Sequence, residues 1–455
     1  MTRLAFVFDQ KRCTGCHACR LACTIENDLP FGESWRQIVT FNPRHEPALP
    51  AFHLSLACNH CAEPACMHAC PARAYRQDLD TGAVLIDESK CIGCRYCTWA
   101  CPYDAPQFDT RRGVVTKCTF CVERLREGGV PACAAYCPTG ALTVAPLEMS
   151  DLTTTAVGFP SGSALRPAIR IIPWPSDAPP VADERPAAAT LRGSAPDPKI
   201  TLTSEWSLAV FTFAAAVLVG LFAGRVLGRF ELGLFPFLAI ALPAMGLSAL
   251  HLGRKERAWR AVLGLRTSWL SREIVAFSAF VGVGALYLFE PGSPRVLGIV
   301  ALVLGALALV AMDRVYGVAR LPAGARPHSS GVLLTGVFVA GVVAVLPLIA
   351  SAAVAVKLAL YLRRKLACMR RGESPRPVVS ALRIGLAFVL PATLLVAGEA
   401  GLWWIVVGSI LAGEFIDRCE CYTELDIVTP AGQMAADLER ARRGTATAAT
   451  KSRAA

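Results

Sequence analysis

Charge is scarce in this chain: Asp, Glu, Lys and Arg make up 18% of its 455 residues, against 54% hydrophobic residues. That balance excludes a single ordinary water-soluble domain and calls for membrane segments. Histidine is scarcer still, with seven residues, of which only His251 and His328 follow residue 150. An export signal is also missing, because the start MTRLAFVFDQKRC has neither an apolar core of about 7 to 15 residues nor a small-residue cleavage site. A secreted disulfide framework is therefore not expected, although the chain holds 19 cysteines. The net charge of +11 does not mark a nucleic-acid binder, since most of the excess falls in short loops between apolar runs.

What the sequence does have is a cysteine repeat. Sixteen of the 19 lie between Cys13 and Cys137, in four groups of four. The first (Cys13, Cys16, Cys19, Cys23) and third (Cys91, Cys94, Cys97, Cys101) share the spacing of the bacterial ferredoxin run. The second (Cys58, Cys61, Cys66, Cys70) and fourth (Cys118, Cys121, Cys133, Cys137) each enlarge one gap, and Pro71, Pro102 and Pro138 close the last three groups. Three thiolates on one tight loop can reach three irons of a cubane, while the fourth, behind a helical turn, serves another cluster. Sixteen cysteines thus make four complete [4Fe-4S] sites, and zinc, which needs no such sharing, is the weaker reading. Gly15 and Gly93 let backbone N–H groups approach the sulfurs. His17, His60 and His68 are read as hydrogen-bonding neighbours, because the four sets of ligands are already full.

The expected fold is an α+β ferredoxin-like iron-sulfur domain of two bacterial-ferredoxin-type modules, followed by an all-α transmembrane domain of about eight helices. The cluster domain takes residues 1–150. Residues 151–204 are expected to form a linker, since ten prolines fall from Pro146 to Pro198. Residues 205–420 form the anchor, with apolar runs near 206–224, 231–252, 273–289, 296–312, 332–362 (divided near Ala350), 380–397 and 401–416. Residues 421–455 are expected to be a disordered tail, and Cys368, Cys419 and Cys421 plain thiols.

Within the anchor no pair of facing mid-helix histidines is available, so haem is not expected. His251 at the end of the second span and Glu273 at the start of the third are candidates for a quinone site, an imidazole being able to accept one of the two protons that a quinol releases. The alternative is an interfacial imidazole and a helix N-terminal carboxylate. Lys357 is expected to snorkel toward Arg363, Arg364 and Lys365, the alternative being a part in binding quinone. With eight spans, the loops on the cluster-domain side hold fifteen Lys and Arg residues, Arg320, Arg326 and Arg371 among them, against Arg225, Arg229 and Arg295 opposite. The positive-inside rule then puts the cluster domain in the cytoplasm, at a bacterial inner membrane.

The stretches CIGCRYCTWACPYDAPQFD (91–109) and KCTFCVERLREGGVPACAAYCPTGAL (117–142) resemble the four-cluster subunit of dimethyl-sulfoxide-reductase-type molybdoenzymes, over residues 1 to about 145. The resemblance implies the ligand sets Cys13/Cys16/Cys19/Cys137, Cys118/Cys121/Cys133/Cys23, Cys58/Cys61/Cys66/Cys101 and Cys91/Cys94/Cys97/Cys70. Related nitrate reductases carry a tryptophan at the position of Cys94 and a three-iron cluster; Cys94 implies four irons. HLGRKERAWRAVLGLRTSWLSREI (251–274) resembles the second-to-third-helix junction of the same enzymes' eight-helix anchor, whose menaquinol site implies a role for His251 and Glu273. Val315-Tyr316 and Glu414–Arg418 are weaker echoes. The two subunits, usually separate, are joined here. The resemblance implies a non-catalytic electron-transfer and anchor subunit, with menaquinone or ubiquinone as substrate and a separate molybdopterin-containing catalytic subunit as partner. The same module run in reverse would serve a sulfite dehydrogenase, and a third reading is a membrane-bound iron-sulfur redox sensor.

Overall fold

The computed structural model describes residues 2–47, 49–153, 155–160, 163–174, 199–290, 292–319, 327–370, 374–397, 400–425 and 427–454. It divides into two compact units, one made of residues 1–197 with 427–455 and the other of residues 198–426.

In the first unit β1 (Thr2–Asp9) has the alternation of a half-buried strand, which turns Phe6 and Phe8 to the same side, each 1% exposed. The cysteine groups follow, and each runs into one short helix or two: α1 (Ala18–Glu26), α2 (Ala65–Ala69), α3 (Tyr96–Ala100), then α4 (Val122–Arg126) and α5 (Ala132–Ala135). Between them lie the antiparallel pairs β2/β3 (Gln37–Phe41, Phe52–Leu56), β4/β5 (Tyr75–Gln77, Val84–Ile86) and β6/β7 (Gln107–Asp109, Val114–Thr116). β8 (Leu142–Glu148) returns antiparallel to β1. Elements this short have little apolar surface, and the core of Phe6, Phe8, Leu54, Phe120 and Phe159 is shared with buried cysteines.

Two boundaries differ from expectation. The expected linker from residue 151 begins later, because β9 (Ile169–Ile172) adds to the other edge of β1 as a parallel strand; residues 175–198 lie outside the described residues. The expected disordered tail is instead helix α15 (Pro430–Ala454), which packs on β2. Met434, Leu438 and Ala441 recur at helical spacing and join the cluster-domain core. Asp437 accepts the Gly158 N–H at 2.7 Å, and Arg442 pairs with Glu46.

In the second unit helices occupy all eight apolar runs: α6 (Trp206–Val226), α7 (Leu234–Leu250), α8 (Trp269–Phe289), α9 (Arg295–Val315), α10 (Val332–Val343), α11 (Pro347–Arg370), α12 (Pro377–Ile384) continuing through a π turn into α13 (Leu390–Val396), and α14 (Trp403–Glu424). Four described stretches are long and apolar enough to cross a membrane: α6, α8, α9 with its following turn, and α12–α13. α7 with the 3-10 turn Lys255–Val262, bent by 106°, makes a fifth if the pair is one broken span and not a re-entrant loop. α10 has only 12 residues, and α11 and α14 carry the charges described below. Small residues let the helices close up: a Cβ at Gly220 would stand 2.7 Å from Val339, and one at Gly336 would stand 2.6 Å from Leu309. Arg320, Arg326 and Arg371 lie outside the described residues.

Candidate iron-sulfur and quinone sites

Each cysteine group opens on the same tight turn. The residue two places after the first cysteine has positive φ in all four: Gly15 (69°), His60 (41°), Gly93 (68°) and Phe120 (64°). That conformation points its N–H back at the sulfur, so His60, Gly93 and Phe120 donate to Cys58, Cys91 and Cys118, each at 3.4 Å. Gly15 donates likewise to Cys13. Such dipoles favour the thiolate, the form that binds iron.

The turns gather cysteines that are far apart in sequence. Cys13, Cys16, Cys19 and Cys137 line one pocket, and Cys58, Cys61, Cys66 and Cys101 line another. Cys118 and Cys121 lie within electrostatic reach of Cys133 and Cys23, and Cys70 does so with Cys91, Cys94 and Cys97. In each of these four gatherings a cysteine from a different group joins the others. They stand in a row. Cys19 of the first set reaches Cys133 of the second, Cys118 of the second reaches Cys58 of the third, and Tyr75 lies among Cys66 of the third and Cys70 and Cys97 of the fourth.

The donor set fits iron-sulfur clusters. Burial pushes the thiols up, Cys94 to about 12 and Cys121 to about 11, with neighbouring thiols adding to it. Cys137 goes the other way: burial raises it, but the N–H groups of Leu142 and Thr139 outweigh that and lower it. Four thiolates in one buried pocket need compensating positive charge, which bound iron supplies. Among the described residues no three His, Cys, Asp or Glu side chains close on one point as for a single ion. A cubane instead spreads its thiolates over four separate irons.

Two buried cations stand in the row, and no motif signalled the first of them. Arg36 is 1% exposed and donates from Nη1 to the carbonyl and hydroxyl of Ser55, both at 3.2 Å; the Ser55 hydroxyl lies 3.5 Å from Cys19 Sγ. Its Nε and Nη2 find no protein acceptor. Lys117, immediately before Cys118 and so visible in sequence, is also 1% exposed; it donates to Cys58 Sγ at 3.5 Å, to the Cys118 carbonyl at 2.8 Å and to the Val84 carbonyl. His60 stacks on Phe120 and accepts the Val84 N–H at Nδ1 (3.0 Å), which leaves Nε2–H to face Cys118 Sγ at 3.6 Å. Burial holds its pKa well below the usual value, and Lys117 adds to this, so the ring is neutral. His68 is half-exposed beside Glu63, at 3.7 Å.

In the second unit His251 is the C-cap of α7, where the backbone bends into the Lys255–Val262 turn. Ser271 ties the start of α8 to that turn, donating to the Ala261 carbonyl at 2.6 Å. Glu273, one turn into α8 and 5% exposed, lies within electrostatic reach of Arg418 and Tyr316. Arg418 donates to Thr212 at 3.0 Å and lies over the rings of Tyr316 and Tyr422, whose hydroxyls are bonded to each other. The weaker echoes thus meet at Glu273. Sequence reasoning missed this because Tyr316, Arg418 and Tyr422 lie far from it along the chain.

Lys357 does not snorkel. It is 0% exposed, 2.7 Å from Glu414, and donates to the Ser329 carbonyl at 2.6 Å and Thr335 at 3.0 Å. Arg383 pairs with Glu414 and Asp417, Arg364 with Asp417 and Glu420, and Lys365 with Glu420. Glu414, Asp417, Glu420 and Glu424, one at each turn of the C-terminal half of α14, make neutralisation inside the unit favourable over reaching for water. His328 lies in the same cluster, beside Ser330, Arg364 and Glu424.

Residues 50–146 match the family described as 4Fe-4S dicluster domain, and residues 201–368 match DMSO reductase anchor subunit (DmsC). A component of the anaerobic dimethyl sulfoxide reductase of Haemophilus influenzae is 42% identical over 157 residues, which are 32% of this chain and 76% of the relative. Its counterpart in Escherichia coli K12 is 42% identical over 155 residues, 32% and 75%. A component of the sulfite dehydrogenase of Allochromatium vinosum is 36% identical over 162 residues, 31% and 68%. An iron-sulfur unit similar to those relatives is followed in one polypeptide by a multi-pass anchor, and this protein belongs to the family of dimethyl sulfoxide reductase iron-sulfur subunits, fused to an anchor of the DmsC kind.

Proposed function

We propose that this electron-transfer and anchor protein holds four [4Fe-4S] clusters and passes electrons from membrane quinol, menaquinol or ubiquinol, to a separate molybdopterin-containing subunit that reduces an S-oxide or N-oxide. The observation that carries this reading is the row of four cysteine sets, each completed from a second group, within one unit. Bound there, the clusters supply one-electron carriers. Cys13, Cys16, Cys19 and Cys137 would hold the first; Cys118, Cys121, Cys133 and Cys23 the second; Cys58, Cys61, Cys66 and Cys101 the third; Cys91, Cys94, Cys97 and Cys70 the fourth.

Quinol oxidation releases two protons with its two electrons, and the residues of the anchor must take them. The Glu273 carboxylate accepts one from a quinol hydroxyl, with Arg418, Tyr316 and Tyr422 holding the polar wall of that site. The His251 imidazole, at the bend after α7, accepts the other. The similarity to a sulfite dehydrogenase component supports a second reading, in which electrons run toward quinone and the same two groups deliver protons. The substrate pocket of the co-purifying molybdopterin subunit discriminates the two.

The test is anaerobic purification of the full chain with its partner, iron and molybdenum analysis, and reduction of the clusters by quinol followed by electron paramagnetic resonance. About sixteen irons per chain are expected. Glu273→Gln and His251→Ala should retain the iron and slow quinol-driven reduction at least about 100-fold, the scale of a lost acid-base group. Normal reduction in both variants would remove the proposed site.

A further inference from the structure

The two buried cations occupy the gaps of the cysteine row. Arg36 has Cys133, Cys19, Cys118 and Cys23 as its charged neighbours, which belong to the first and second sets. Lys117 has Cys58, Cys118 and Cys66, which belong to the second and third. No carboxylate pairs with either among the described residues, although an unpaired buried charge is strongly unfavourable. Arg36 moreover keeps two donors, Nε and Nη2, without any protein acceptor. The third gap holds Tyr75, a neutral side chain, and the charged neighbours of Cys94 and Cys97 are other thiols.

We propose that Arg36 and Lys117 are the counter-charges of the clusters on either side of them, each setting the reduction potentials of two neighbours at once. This rests on the four-cluster reading. Gaining an electron makes a cluster more negative by one charge, and a fixed cation a few ångströms away in a dry interior favours that state. One cation between two clusters also lessens their mutual repulsion when both are reduced. Arg36 holds its place through Ser55 and by lying 4.5 Å over the Phe6 ring; Lys117 holds its place through two carbonyls. Cys70, Cys94 and Cys97 of the fourth set have no cation among their charged neighbours in the described residues, and this set is the internal reference.

The experiment is a potentiometric titration by electron paramagnetic resonance of the full chain, purified anaerobically, as wild type and as Arg36→Met, Arg36→Lys, Lys117→Met and Lys117→Arg. Arg36→Met should lower the first and second clusters, and Lys117→Met the second and third, by at least a tenfold change in the reduced-to-oxidised ratio, about 59 mV for one electron. The fourth should stay put, and the charge-retaining variants should stay near wild type with full iron. Unchanged potentials, an equal shift of all four, or the same shift in the Lys or Arg variant as in the Met variant would overturn the proposal. If one Met variant loses iron, the other cation decides; loss of iron in both, with or without retained charge, would mean a structural role and also overturn it. Wild-type iron well below sixteen per chain would instead be a failure of the four-cluster reading, visible before any variant is compared.

Discussion

At Gly15 the backbone sits at φ +69°, and a Cβ there would stand 2.6 Å from the His53 ring. Gly15→Ala therefore meets both backbone strain and a clash. About 1–3 kcal/mol of stability should be lost, together with the iron of the first cluster, measured as a lower melting temperature and one cluster's worth of missing iron. Wild-type iron content and stability would show that the turn tolerates the side chain. His60 and Phe120 adopt the same turn without being glycine, because each ring is engaged: they stack on one another, and Phe120 also meets Phe6 edge-on. The glycine turns were legible in the sequence and these two were not, since a non-glycine residue at positive φ has no sequence mark. The raised thiols bear on metal removal. Without iron the buried cysteines stay protonated at neutral pH, and the charges of Arg36 and Lys117 are left unmatched. Chelating the iron under reducing conditions should unfold the cluster unit while the anchor helices persist, seen in circular dichroism as loss of the strand signal with most of the helix signal retained.

Among the elements, α15 shows most clearly what the sequence held and what it concealed. Ala and Arg are good helix formers, and Met434, Leu438 and Ala441 form one apolar stripe, so the helix was there to be seen. Its docking on β2 was not, because that depends on Gly158 and Glu46, hundreds of residues earlier. Leu438→Ala should destabilise the cluster unit by about 2–5 kcal/mol, and ending the chain at residue 426 by more, in thermal melts of the iron-loaded protein. A truncated chain that melts as wild type does would make the helix a passenger. The four cysteine groups were readable for the opposite reason. Their spacing is local chemistry, repeated four times, whereas Arg36 and the cluster around Glu414 are meetings of distant elements. The Lys357 expectation failed on the same ground: its partner Glu414 lies 57 positions away.

For the whole molecule the path of the chain constrains topology. The chain leaves the cluster unit at residue 197 and returns to it at residue 427, so an even number of membrane crossings is the expectation for the anchor. The five stretches that qualify by length and apolarity, counting the bent α7, are an odd number and need at least one more. α11, with 24 residues, and α14, with 22, are each longer than the roughly 30 Å hydrocarbon core requires at about 1.5 Å per residue, and Lys357, Arg364 and Lys365 of α11 are paired with Glu414, Asp417 and Glu420 of α14. α10, with 12 residues, spans only about 18 Å and reaches across only if the membrane thins or its flanking turns contribute. Eight crossings satisfy the parity. With eight crossings the positive-inside rule would put the loops after the second, fourth and sixth spans in the cytoplasm, even with Arg364 and Lys365, which turn inward onto Asp417 and Glu420, set aside. Reporter fusions before Thr2 and after Ala455 should accordingly both read out as cytoplasmic, and a reporter in the 290–294 turn as the opposite side. Ends on opposite sides would break the parity argument and with it the docking of α15; both ends outside would keep the docking and reverse the orientation drawn from the basic loops.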